Sequence, residues 1–502
     1  MTTAIDGTRY GNSIRSPIVG TGQFGCLVVD SLLTRGVPPA DITATAAPPS
    51  AHLGVMSERF SKFGCNYVIR VSRIEVMAEP RVVVSHREHL WWLLAEAAQL
   101  EHMIMCQYLY AEFSLKDGTA DGLTGEQAAA VDRWRRTLRG IAVEEMLHLA
   151  LVANLMSAIG AAAYLGRPNF PQRSGYFPAG VQLDLLPFGE QSLRHFLYLE
   201  RPEGMELQDA EGFVPTAPPR APVAPDELLP RGQEYRTVGH LYRGIADGLR
   251  ELVDRVGERA VFVGSPRAQA TPELVRWPQL IAVTDLASAV AAVDEIIEQG
   301  EGARGDWRHA HYGRFLDIWE DYHALRERDP AFQPAHPVLA AFTRQPFDIA
   351  TPQPVITDSL TLHVAELAGL GYETVLQLLL RFFTHTDETD EQLGVLFGGA
   401  IQAMTGVVRP LAMALTRLPV GPDHPARTAG FGFQMYYAMG NLVPWREPAW
   451  ALLHERMSLL VEHCTAATDK HGPVEAIRQA HEQAAAITTA LAAHVPADLR
   501  AH

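Results

Sequence analysis

Cysteine is scarce in this chain of 502 residues: Cys26, Cys65, Cys106 and Cys464 lie far apart, with no CxxC pair. That excludes a disulfide scaffold and gives no pattern for a thiolate metal site, and it fits a reducing cytoplasm. Positive charge is also in short supply. Lys and Arg number 42 against 58 Asp and Glu, a net charge of −16, which argues against nucleic acid or an anionic membrane as the main partner. The opening MTTAIDGTRYGNSIRS lacks a basic start followed by an apolar run, so no signal peptide is expected. No stretch of about 18 uninterrupted apolar residues occurs, so no membrane span is expected. No repeat of fixed period is found either. What is present is a globular balance, 47% hydrophobic and 20% charged. The chain is long enough for a large core, and its length suggests about three domains.

Residues 1–85 are rich in Gly, Pro, Thr and Val, with β-leaning runs PIVG, CLVVD, NYVIRVSRIEV and RVVV. They read as an extended or strand-bearing segment. From Ser85 the pattern becomes helical. SHREHLWWLLAEAAQLEHMIMCQYLYAEFSLKDG carries apolar residues at helical spacing, with Ser85 and Glu88 placed as a capping box and Asp117-Gly118 as the stop. A second long helix starts at Thr124 and closes near Gly160. Residues 161–235 break the pattern, and seven prolines between 202 and 230 make a long crossover. Two more helices follow, YRTVGHLYRGIADGLRELVDRV and TDLASAVAAVDEIIEQGEG, the latter starting near Asp285. Two helices, a crossover and two helices over 86–320 give the ferritin-like four-helix topology. Further helices over 321–502 are expected to pack against that bundle. The fold class is therefore mainly α.

The strongest chemical signal is Glu145-Met-Leu-His148, an E-x-x-H on an apolar helix. Residues i and i+3 share a helical face, so both can reach one ion. A surface Glu–His pair would be the bland alternative, but burial demands partners or a metal for both groups. On the preceding helix Glu101 sits among apolar neighbours, with Tyr108 two turns on and Glu112 extending the same face. A buried Glu facing an E-x-x-H is half of a carboxylate-bridged dimetal site. An ion pair with Arg135, Arg136 or Arg139 is the competing reading. The second half is less regular. His240 stands where a Glu is expected, Glu295, Glu298 and Glu301 lack a His at i+3, and His309 and His311 follow a glycine-rich break. A histidine from beyond the break would have to fold back. Glu298 and Glu301 can share an ion, Glu295 and Glu298 can instead lie on a solvated face, and the flanking glycines mark Glu301 for a special role; His240 can be a ligand, an acid–base group or a core histidine.

The blocks LEHMIMCQYLYAEFSLK, IAVEEMLHLALVANLMSAIG, VGHLYRGIADGL, IIEQGEG with HYGRF, RPLAMALTRLP and RTAGFGFQMYYAMG resemble a ferritin-like family. It is named for the iminophenyl-pyruvate dimer synthase of violacein biosynthesis, and the likeness spans residues 86 to about 460. The resemblance implies an oxidative enzyme of natural-product metabolism with a metal site in its bundle. It maps Glu101, Glu145 and His148 onto the first-half ligands, Glu298 and Glu301 onto the EQGEG block, and His311 onto the HY block. His240 departs from the Glu of relatives and lowers the carboxylate count. The expected function is an O2-using, metal-dependent oxidase or oxygenase acting on an aromatic amino acid or related small molecule. Iron is the expected metal, two ions rather than one, with manganese or zinc as alternatives. Tyr108 and His240 are the candidate catalytic side groups, and a homodimer is the expected assembly. A non-redox zinc or manganese enzyme and a metal-free scaffold are the competing classes. The block PARTAGFGFQMYYAMGNLVPW, with His424, Arg427, Tyr436 and Tyr437, reads either as a pocket wall or as a packed loop under the bundle.

Overall fold

The computed structural model describes residues 17–21, 42–46, 66–71 and 80–500, apart from 174, 303–306, 438, 439 and 441. It divides into two units, residues 1–79 and 80–502. In the first unit, β1 (Pro17–Thr21), β2 (Ile42–Ala46) and β3 (Asn66–Val71) form an antiparallel sheet in the order β1-β3-β2. Pro17 stands opposite Arg70 and Ile42 opposite Val71. Two of the β-leaning runs supply strands, and CLVVD lies outside the described residues. RVVV belongs to the second unit and is not a strand. Its Val82 and Val84 are buried in the core, against positions where Gly244 and Gly248 leave room for them.

The second unit is built on α1 (Arg87–Ser114) and α2 (Gly125–Ala158), packed side by side. The capping box expected at Ser85 does not form. His86 is the N-cap without a side-chain bond, and the Ser85 hydroxyl instead donates to the Pro225 carbonyl at 2.6 Å. Helix α1 ends at Ser114, three residues short of Asp117, where Arg135 takes the Leu115 and Lys116 carbonyls. Thr124 does cap α2, in a reciprocal box with Gln127. After the crossover, which carries α3 (Glu190–Leu199), come α4 (Val238–Val256) and α5 (Leu286–Gly300). Contacts of α1 with α2 and α4, and of α5 with α2 and α4, close a ring of four helices. A further helix, α6 (His311–Arg328), lies against α2 and α3.

The C-terminal region adds α7 (Ser359–Phe383), α8 (Asp390–Ala403), α9 (Arg409–Leu415), α10 (Arg446–His471) and α11 (Glu475–Ala492), and a parallel strand pair, β4 (Val338–Ala341) and β5 (Thr428–Phe431). Helix α9 touches α1, which joins this region to the bundle. Between α8 and α9 one turn, Met404–Val408, is a π-helix. The stretches Gly125–Ala158 and Asp390–Leu415 match a membrane span by length and composition, with 78% and 50% of their apolar windows buried inside the fold. Polar residues, the Glu144-Glu145 doublet among them, interrupt their apolar runs, which is why a search for uninterrupted runs passes over them.

One buried polar group ties the connection between α4 and α5 to the bundle. Asn154 of α2 is fully enclosed, donates to the Ala270 and Ile281 carbonyls at 2.8 and 2.9 Å, and accepts from Ala270 N at 2.9 Å. Replacing it with Ala strands three buried backbone groups. Asn154→Ala should therefore lower unfolding stability by about 3 kcal/mol, measured by denaturant titration. A loss within the scatter of surface substitutions would mean that water takes over these bonds.

Candidate metal centre

Five side chains from four elements meet inside the bundle. Glu101 comes from the middle of α1, Glu145 and His148 from α2, Glu200 from the C-cap of α3 and His311 from the first residue of α6. All five are buried. They form two overlapping sets, Glu101–Glu145–His148 and Glu145–Glu200–His311. Within each set one oxygen or nitrogen per residue lies within 4.8 Å of the others. Glu145 belongs to both sets. Its Oε2 is 2.9 Å from His148 Nδ1 and its Oε1 is 3.0 Å from His311 Nδ1. A carboxylate that turns one oxygen to each of two imidazoles is placed to bridge two ions.

The outer partners are arranged in the same way on both sides. Both histidines aim Nδ1 inward, and each Nε2 is satisfied from behind: His148 by Gln299 Oε1 at 3.1 Å, His311 by Glu144 Oε2 at 2.9 Å. Gln299 is oriented by its own amide nitrogen, which donates to Glu295 Oε1 at 2.5 Å. Glu144 is held by Arg314 at 2.5 Å. An acceptor behind each ring fixes the Nε2–H tautomer and turns the Nδ1 lone pair to the centre, as a metal-ligating histidine requires. Each terminal carboxylate takes a phenol: Tyr242 donates to Glu101 Oε1 at 2.6 Å, and Tyr108 donates to Glu200 Oε1. The second oxygen of each faces inward.

The donor set can be tested for its fit to a metal on one atom. His311 Nδ1 is buried and makes no hydrogen bond, although Glu145 Oε1 is 3.0 Å away and Glu200 Oε2 is 3.7 Å away. An unbonded nitrogen beside two carboxylates fits a cation between them. In the metal-free protein, protons carry that charge. Burial opposes a charged His148, but Glu145 and Glu101 outweigh it and raise its pKa to about 10. Burial likewise opposes charge on His311, and Glu145 with Glu144 raises its pKa well above the usual imidazole value. Burial followed by Glu145 raises Glu101 to about 8 and pushes Glu200 up as well. Burial works the same way on Glu145, but the two imidazoles hold it well below the ordinary carboxylate value.

A cavity with about 20 Å³ of room for the centre of a water-sized sphere reaches the cluster, with Ile104, Leu199, Val238, Ile296 and Ile297 among its walls. That is space for about one water molecule. Glu301 lines it, and its carboxylate accepts from Gly239 N at 2.9 Å and lies 3.4 Å from Arg243. It is therefore in the wall but in neither ligand set. His240 and Glu298 stand outside. On α4, Gly239 and Tyr242 face the cavity, and His240, one residue on, is turned by about 100°. Its Nδ1 accepts from Arg236 N at 3.3 Å. On α5 the cavity-facing residues are Ile296, Ile297 and Gly300, while Glu298 is exposed. Glu112, about three turns past Glu101, is taken by Arg139 and Arg409 at 2.6 and 3.1 Å. Of the C-terminal aromatic block, Phe431, Phe433 and Met435 are core residues, and none of its described residues lines this cavity. Arg427 instead borders a separate, solvent-open cleft.

Glu200, Tyr242, Gln299 and Glu144 carry no role in the sequence reading. Glu200 lies in LYLERPEG, at the end of a ten-residue helix inside the crossover, and no local spacing marks it. The Glu144-Glu145 doublet before His148 was a visible sign that two faces of α2 carry acid.

A family model described as Ferritin-like matches residues 94–320. The matched stretch, 227 of the 502 residues, is ferritin-like in fold. The chain is 28% identical over 387 residues to a dichlorochromopyrrolate synthase of Lentzea aerocolonigenes, an alignment covering 70% of this chain and 36% of the relative. It is 29% identical over 356 residues to a 2-imino-3-(indol-3-yl)propanoate dimerase of Chromobacterium violaceum, covering 67% and 33%. It thus spans about a third of the length of the curated relatives it matches. A ferritin-like protein from Caulobacter vibrioides is a structural neighbour at 18% identity and a TM-score of 0.40, over 64% of this chain and 96% of that one.

The protonation state generates a prediction. Below about pH 8 the empty site holds protons on Glu101 and His148, and His148 keeps its own up to about pH 10. A divalent ion must displace them, so apparent affinity should rise with pH through this range. Uptake at pH 7 in weak buffer should release about three protons per chain, from Glu101, His148 and His311. Stoichiometric binding without acidification would show that the imidazoles are already neutral.

Proposed function

We propose that this ferritin-like chain is a metal-dependent oxidase or oxygenase of natural-product biosynthesis, acting with O2 on an aromatic amino acid or a related small metabolite. The observation that carries the reading is Glu145, shared between two buried ligand sets. Support for a biosynthetic substrate comes from the two relatives, a synthase and a dimerase. The name of the second contains an indolyl imino acid. Glu101, Glu145 and His148 would hold one ion and Glu145, Glu200 and His311 the other, with iron the first choice. Bound there, such a pair supplies O2 activation and accepts electrons from the substrate.

The chain's own residues prepare the site for that role. Tyr242 and Tyr108 pin the terminal carboxylates, and Gln299 and Glu144 pin the imidazoles. The ligand geometry is thereby set before anything binds. The aliphatic walls exclude bulk water, and the space that remains suits a reactant the size of O2 or water rather than an indole ring. Burial keeps both tyrosines protonated as donors, far from their usual titration.

A second reading rests on the ligand count. Three carboxylates and two imidazoles carry less negative charge than the four carboxylates of the familiar dimetal sets, and this also suits zinc or manganese in non-redox chemistry.

Elemental analysis of freshly purified protein, beside Glu145→Ala and Glu200→Ala, tests both. Wild type should carry about two ions per chain, Glu200→Ala about one, and Glu145→Ala essentially none. Iron together with oxygen uptake on aromatic amino acids supports the first reading. Zinc or manganese without oxygen uptake supports the second. A wild type without metal even after anaerobic reconstitution sinks both.

A further inference from the structure

We propose that Glu301 and Arg243 form the gate through which metal ions reach the cluster, Glu301 serving as a transient outer ligand and Arg243 as the plug that must leave it. The inference rests on the metal-centre reading above and adds the path of entry.

The argument starts from what an ion needs. A divalent cation gives up its water only where oxygen or nitrogen donors replace it, so aliphatic walls bar its way. Five of the thirteen residues that line the cavity, Ile104, Leu199, Val238, Ile296 and Ile297, are of that kind. Among the described residues lining it, Glu301 is the one carboxylate that belongs to neither ligand set. Its burial matches that of the cluster, while its partner Arg243 is half-exposed. Side-chain exposure falls from 38% at Glu203 and 34% at Arg243 to 8% at Glu301, then 7%, 3% and 2% at Glu200, Glu145 and Glu101.

The three outer groups are held unequally. Arg243 makes a close pair with the surface carboxylate of Glu203, at 2.8 Å, and reaches Glu301 Oε2 through two contacts of 3.4 Å, at the outer edge of hydrogen bonding. Glu301 is fixed by its other oxygen, through Gly239 N. That cradle exists because residue 239 has no side chain: a Cβ there would come within 2.4 Å of the Glu301 carboxyl carbon. Arg243 can therefore swing toward Glu203 and bare Glu301 Oε2 while the backbone keeps the carboxylate in place. An arriving ion then meets one fixed oxygen on the same cavity as Glu200, Glu145 and Glu101. Once it has moved inward, Arg243 closes over Glu301 and restores its charge balance.

The test follows loading rather than turnover. Metal-free full-length protein is mixed anaerobically with Co2+, and the visible absorption of the bound ion is followed in a stopped-flow instrument. Arg243→Ala should load faster, on the order of tenfold, and Glu301→Gln slower by a similar factor, with final cobalt content equal to wild type in both. Release to a chelator should be faster in Arg243→Ala as well. Arg243→Gln repeats the experiment if the alanine variant does not fold, with circular dichroism as the check. Wild-type rates in the Arg243 and Glu301 variants would overturn the gate. Loss of one ion at saturation in Glu301→Gln would overturn it too, by making Glu301 a resident ligand. A wild type that takes up no cobalt would instead remove the metal-centre reading and the gate with it.

Discussion

Everything in the bundle core depends on the compensation of Glu145. A carboxylate taken fully out of water costs several kcal/mol unless opposite charge and hydrogen bonds repay it. Here the repayment comes from two imidazoles, one at each carboxylate oxygen, one on the same helix and one from a helix that begins 166 residues later (311 − 145 = 166). Glu101 and Glu200 then crowd the same space and need their own donors, which Tyr242 and Tyr108 provide. Helices α1, α2, α3, α4 and α6 are thus tied together by one charge-balance problem. The aliphatic packing around it raises the stakes by lowering the local dielectric.

The same constraint gives the site two consistent states. With protons on the imidazoles the cluster is near neutrality; with cations the protons leave and the same oxygens and nitrogens become ligands. The outer hydrogen bonds need not rearrange between the two states, because Gln299 and Glu144 accept from Nε2 in either one. A site that is already shaped when empty loses little conformational entropy on filling.

The half of the site contributed by α1 and α2 was legible in the sequence because it obeys helix arithmetic: i, i+3 on one helix, and a buried acid on the neighbour. Likewise the cap at Thr124 forms as its sequence suggests, because capping is decided within four residues. The cap at Ser85 fails for a reason no local pattern contains, since Pro225, 140 residues away, claims its hydroxyl. Glu200 escaped for the same kind of reason. It is brought in by a short helix within the proline-rich crossover, and its partner Tyr108 is 92 residues distant. The reading of helix α4 went wrong by a single step of phase. His240 is the conspicuous residue, yet Gly239 and Tyr242 face the cavity. On α5 the paired acids suggested ligands, but the helix turns its isoleucines inward and leaves Glu298 to solvent.

The π turn at Met404–Val408 records how the C-terminal helices were fitted to this core. A π turn is one residue wider than an α turn and sits in the helix as a bulge. Each residue in an α-helix turns the chain by about 100°, so the bulge rotates all that follows relative to α8. Arg409 stands immediately after it, and it is Arg409 that reaches across to the buried carboxylate of Glu112 on α1. The bulge thus acts as an angular shim. It lets α8 pack in its own register against α7 while α9 is indexed to the bundle, so two helical layers with different phases share one continuous backbone.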